Sequence, residues 1–175
     1  MFDAIPAAAL PSDAALIGAT ILTGIGATAL LDVCAAAQHR LFGAAKPNYA
    51  LVGRWLGHLP RGQFFHDAIA RSAPVAGERA IGWTAHYATG IGFAAILVAG
   101  FGREWLRDPA LIPALIVGIG SVAAPFLVMQ PGMGLGLASR RAPNPNAARL
   151  RSLTTHTIFA IGLYAAGWAA RLIDP

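Results

Sequence analysis

The sequence carries very little charge. Lys, Arg, Asp and Glu make up 12% of its 175 residues, against 56% apolar residues, which excludes an ordinary soluble domain, where charged residues are about a quarter of the chain. It has one cysteine, Cys34, so an intramolecular disulfide framework is excluded and cysteine usage carries no compartment signal. It has no His-Glu-x-x-His, Cys-x-x-Cys or Cys-x-x-Cys-His run, so the sharp metal and haem motifs are absent. Gly132-x-Gly134-x-Gly136 has neither the preceding strand nor the following lysine of a phosphate loop. Acids are scarcer than bases, eight against thirteen. That excess would suit nucleic acid, but its distribution points to a membrane instead.

About 20 apolar residues cross the hydrocarbon as a helix, and four stretches qualify, at about 14–37, 80–100, 111–129 and 153–170. The fold expected is all-α: a polytopic four-transmembrane-helix bundle, one domain over 1–175, capped by loops at about 38–79 and 130–152. No basic residue precedes the first apolar run, so no removable signal peptide is read in 1–12 and the first helix stays. The two loops hold ten Lys or Arg against Asp67 and Glu78, and the opposite side holds three arginines against five acids. By the positive-inside pattern the basic loops face the cytoplasm and both termini the periplasm. Anionic lipid headgroups are then the partners of the arginines, and no nucleic acid is implied.

Residues spaced by four share a helix face. In helix 1 the row is Thr20, Gly24, Thr28, Asp32, with His39 one heptad on; in helix 2 it is Gly82, His86, Gly90, Ala94. Small residues at this spacing let helices approach closely. Helix 3 carries Ser121, Pro125 and Met129, and its proline predicts a kink; helix 4 carries Ser152, His156 and Ala160. In the first loop, Leu51, Val52, Trp55, Leu56 and Leu59 fall near one face of an interfacial helix, with Arg54 and His58 elsewhere. Trp83, Trp105 and Trp168 fall near helix ends, as interface-anchoring tryptophans do. Past Pro131 the Pro- and Gly-rich run breaks the helix and folds back over the bundle mouth.

The stretches from Asn48 to His58, Gly77 to Trp83, Gln130 to Gly134 and Pro143 to Pro145 resemble a family of bacterial inner-membrane proteins known only as a domain of unknown function. The resemblance runs from helix 1 onward. It implies a topology and no activity, so no site residue is carried over from it.

All five histidines fall on or near the basic side, and Asp32, His86 and His156 lie at similar depth. The candidate ligand pocket is bounded by Asp32, His39, His86, Met129 and His156. Ionisable groups inside a bilayer are costly and commonly mark sites, although a histidine near the interface also serves as packing glue. Three functions use these residues. In the first, His86 and His156 hold a haem iron or a transition metal, with Arg79, Arg149 and Arg151 pairing propionates and Met129 or Met133 as soft donors. In the second, the acid and histidines couple protons in a small carrier working as a homo-oligomer. In the third, Arg54, Arg61, Arg140 and Arg141 grip a lipid phosphate while His58 or His66 acts as base. A fourth use is structural, as an accessory or assembly subunit of a larger membrane complex.

Overall fold

The computed structural model describes residues 12–173; the reading of 1–11 as retained chain lies outside the described residues. The elements are α1 (Asp13–Phe42), α2 (Tyr49–His58), α3 (Glu78–Phe101), α4 (Glu104–Arg107), α5 (Leu111–Gly120), α6 (Gln130–Gly132) and α7 (Pro145–Ile173). No strand occurs among the described residues. α1, α3 and the run Leu111–Gly132 are the helices long and apolar enough to cross a membrane among the described residues. α7 is long enough at 29 residues, but Thr154, Thr155, His156 and Thr157 dilute its apolar character.

Helix ends follow local chemistry. The Ser12 hydroxyl accepts from Ala15 N–H at 3.2 Å and starts α1. Gly43 ends it in the left-handed region at φ 66°, donating to the His39 carbonyl at 3.0 Å while Ala44 donates to Gln38, the glycine stop of a regular helix. α7 begins eight residues earlier than the 153 expected. Asn144, read above as loop, is its cap: Oδ1 accepts from Ala147 N–H at 3.1 Å, and Pro145 takes the first helical position, where a missing N–H costs nothing. The second loop is therefore much shorter than 130–152. The helix after α5 turns at Ser121 and Val122 and widens into a π-helical stretch at Pro125–Met129, because Pro125 has no N–H for the regular ladder.

The long helices form a ring in which α1 packs on α3 and α7, and α5 packs on α7 and less extensively on α3. Its centre is filled by small or compact apolar residues: Ala27, Ala94, Leu97, Ala114, Ala160 and Leu163 are fully buried. The rows of α1 and α3 come together, and a Cβ on Gly90 would meet the Thr28 hydroxyl oxygen. A Cβ on Gly24 would press on the Ile91 backbone, and one on Gly118 would press on Ala160. Outside, Ile17, Leu22, Val33, Ile96, Ile112 and Leu127 are exposed, an apolar rim of the extent that marks a membrane surface. Trp83 and Trp168 sit at that surface, whereas Trp105 is buried, its indole N–H donating to the Ala110 carbonyl at 2.9 Å. Trp105 is thus a core residue, contrary to its expected role as an interface anchor.

At the end where α1 stops and α3 begins, the two connections join. His66 N–H donates to the Gly132 carbonyl at 2.9 Å and Ile69 N–H to Met133 at 3.1 Å. The Trp55 indole donates to the Phe64 carbonyl at 3.0 Å. α2 crosses the first turns of α3 at Gly53 and Gly82; a Cβ on either would overlap a backbone carbonyl, Glu78 in one case and Tyr49 in the other.

Candidate functional site

The contact between α1 and α3 places Asp32 opposite His86, as their rows require. His86 Nε2 donates to Asp32 Oδ1 at 3.0 Å, and the Tyr87 hydroxyl donates to Oδ2 at 3.0 Å. The glycine crossing brings the first residue of α2 over them, and the Tyr49 hydroxyl donates to Oδ1 at 3.3 Å. Three donors from two elements thus converge on one carboxylate. Tyr49 stacks on the His86 ring with centroids 4.1 Å apart, and Trp83 lies edge-on to both. Burial, with the Asp32 charge beside it, pushes the Tyr49 phenol well above its ordinary value, so it stays a donor. Tyr49 and Tyr87 were missed in the sequence. Tyr87 directly follows His86, but nothing in the spacing of 49 shows that α2 folds onto α3.

His156 is held elsewhere. The Ser121 hydroxyl donates to the Gly118 carbonyl at 2.6 Å and stands 2.6 Å from His156 Nδ1. Its single proton being used, it accepts from the imidazole. His86 and His156 therefore belong to two hydrogen-bonded sets, one joining α1 to α3 and the other joining the α5 end to α7. His39 is exposed and bonds the Ala44 carbonyl beyond α1 at 2.8 Å; Met129 is half-buried in the π-helical stretch. Arg79 is exposed. Arg149 donates to the Ala138 carbonyl at 2.9 Å and to Asn146, and Arg151 donates to the Ala45 carbonyl, so both tie loops to α7. Asp32 and His86 are brought together; His39, His156, Arg149 and Arg151 are engaged apart from them. No group of three or more His, Cys, Asp or Glu suited to a metal occurs among the described residues.

The first loop carries a second concentration of polar groups. Arg54 binds both carboxylate oxygens of Glu78 at 2.8 Å and the Ala70 and Ser72 carbonyls at 3.3 and 3.1 Å. The hydrogen bonds to Glu78 raise its pKa further, and the guanidinium fork is used inside the cap instead of on a lipid phosphate. His58 is 4% exposed and donates through Nε2 to the Ala73 carbonyl at 3.0 Å. His66 Nδ1 pairs with the Ser72 hydroxyl at 3.0 Å. The two rings lie 5.1 Å apart.

These features define an all-helical protein with helices of membrane-spanning length and apolarity, capped at one end by two interlocked loops. Within that class, the chain belongs to the DUF2938 family, described as a protein of unknown function, whose model matches residues 21–170. No curated protein and no solved structure matches the chain.

Proposed function

We propose that the chain is a four-helix protein of the bacterial inner membrane, a small proton-coupled carrier that loads and releases its proton at Asp32 and His86. One observation carries this: a single carboxylate on α1 holds α3 through His86 and Tyr87 and holds the cap helix through Tyr49. Protonation at Oδ1 weakens the acceptor that His86 and Tyr49 share and leaves Tyr87 on Oδ2. The cap helix is then loosened from α1 while α3 keeps its Tyr87 contact, which links a proton to a movement.

Support for the fourth span is the length of α7, about 43 Å at 1.5 Å per residue, and its exposed Leu150, Leu153, Ile161 and Leu172. The Thr157 hydroxyl bonds the Leu153 carbonyl within the helix at 2.9 Å, which makes it tolerable in lipid. The charge distribution supports a cytoplasmic cap and periplasmic termini. The fully buried alanine and leucine centre fills the bundle, so the solute path lies between copies and the working unit is a homo-oligomer. Haem or metal held by His86 and His156 draws less support, because the two belong to separate hydrogen-bonded sets and no group of three or more His, Cys, Asp or Glu suited to a metal occurs among the described residues.

Reconstitution into vesicles enclosing a pH-sensitive dye tests the reading, with an imposed potassium potential driving proton entry. The wild type acidifies the lumen faster than empty vesicles, and Asp32→Asn abolishes the difference while eluting as a folded oligomer. Equal rates for the wild type and Asp32→Asn would exclude proton coupling at this pair. A Soret band or stoichiometric metal lost in His86→Ala and His156→Ala would favour the cofactor reading in its place.

A further inference from the structure

Apart from the Asp32 cluster, the cap contains an open cleft of about 790 Å³ between the end of α2 and the segment 61–73. Its size is that of a small-ligand site. Arg61 and Arg71 line it against one acid, Asp67. Unlike those of Arg54, Arg149 and Arg151, the guanidinium groups of these two arginines make no hydrogen bond or ion pair within the described residues. His58, His66 and Ser72 line the same cleft, and His58 Nδ1 and His66 Nε2 are buried without a hydrogen-bond partner. Buried polar atoms are almost always paired, so two orphans on adjacent rings mark an incomplete site. Phe65 is 77% exposed at the cleft, and its neighbour Phe64 is also exposed.

We infer that this cleft binds a phosphate-bearing anion. Arg61 and Arg71 supply forked guanidinium donors matched to phosphate oxygens. A phosphate offers both P–O⁻ acceptors and a P–OH donor, so it can partner the two orphan nitrogens. His58 Nε2 is already fixed as a donor by the Ala73 carbonyl, so Nδ1 is the nitrogen left for the ligand. A metal ion is the weaker occupant of the same nitrogens, since two arginines share the cleft and no three-ligand group forms among the described residues. The phosphate belongs either to a lipid headgroup, with Phe64 and Phe65 in the acyl region beside it, or to a soluble phosphate.

The test has a lipid arm and a soluble arm. In the first, the full chain in mild detergent is offered phosphatidylglycerol or phosphatidylcholine and retained lipid is read by native mass spectrometry. In the second, inorganic phosphate is titrated calorimetrically. Arg61→Gln/Arg71→Gln weakens binding by about tenfold or more for two charge-assisted contacts, and His66→Gln weakens it as well. Arg40→Gln/Lys46→Gln removes the same charge outside the cleft lining and leaves binding unchanged. Cleft-dependent binding in the lipid arm alone assigns a headgroup site, and in the soluble arm a phosphate site. No binding in either arm, or equal loss in the Arg40/Lys46 control, overturns the inference.

Discussion

Gly82→Ala is the sharpest test of how the cap is seated. A Cβ at this position would overlap the Tyr49 carbonyl oxygen and crowd Gly53 N. Both are backbone atoms of α2, so no side chain can rotate away and the helix itself must lift. Overpacking that a core absorbs costs about 1–3 kcal/mol, and a forced backbone shift puts this variant at the upper end or beyond. With about 2–4 °C of melting temperature per kcal/mol in a chain of this size, the expected loss is roughly 6–12 °C. The lift also moves Tyr49 from Asp32 and Arg54 from Glu78, which are 3.3 and 2.8 Å apart. Gly92→Ala is the internal control. It lies in the same helix with nothing within 4 Å of an added Cβ, so it gains about 0.5–1 kcal/mol of helix propensity. Thermal unfolding of both variants in one detergent, followed by tryptophan fluorescence and circular dichroism, gives opposite signs. A Gly82→Ala protein melting no lower than Gly92→Ala would refute the crossing of α2 over α3.

Three further perturbations address other joints of the fold. Ser121→Ala leaves the His156 Nδ1–H without its acceptor, and its cost of about 1–3 kcal/mol is measured by denaturant unfolding; a neutral result would mean that His156 bonds elsewhere. Arg54→Lys cannot span both Glu78 oxygens and the two loop carbonyls, so limited proteolysis cuts the segment 59–73 faster than in the wild type, while Arg61→Lys leaves the rate unchanged. Asn144→Ala removes the α7 cap for about 1 kcal/mol; amide exchange rises in the first turn of α7 alone, and no change there would move the helix start back toward 153.

Much of the helical framework was legible because helix faces are short-range. Thr28 and Asp32 on α1, and Gly82, His86 and Gly90 on α3, are spaced by one turn each. Any pair of antiparallel helices that buries its small residues must bring these rows together. Hence the spacing set Asp32 and His86 at similar depth on packing faces, and the structure brings the two into contact. The start of α7 was not legible in the same way. Pro and Asn at 143–146 read as loop composition, yet Asn followed by Pro also opens a helix, and only the chain beyond decides between the two. Trp105 misled for a related reason: nearness to a helix end gives its depth but not its direction, and its indole turns inward to the Ala110 carbonyl.

What spacing could not supply was the partition of the histidines. Grouping all five by membrane side treats depth as if it were proximity, but neighbours in a bundle are decided by which helices touch. α3 packs on α1, and the α5 end packs on α7, so two histidines at similar depth acquire different partners, a carboxylate for His86 and a serine for His156. The loop histidines were harder still, because no periodicity governs 59–73. His58 and His66 meet only because α2 is pinned to α3 at one end and the loop backbone is hydrogen-bonded to Gly132 and Met133 at the other. Those long-range restraints gather residues far apart in the chain at the cost of loop entropy. A conformation so held, yet leaving two ring nitrogens buried and unpaired, has ordered its loop without satisfying it, which is why the cap, as well as the Asp32–His86 pair, is where binding should be measured.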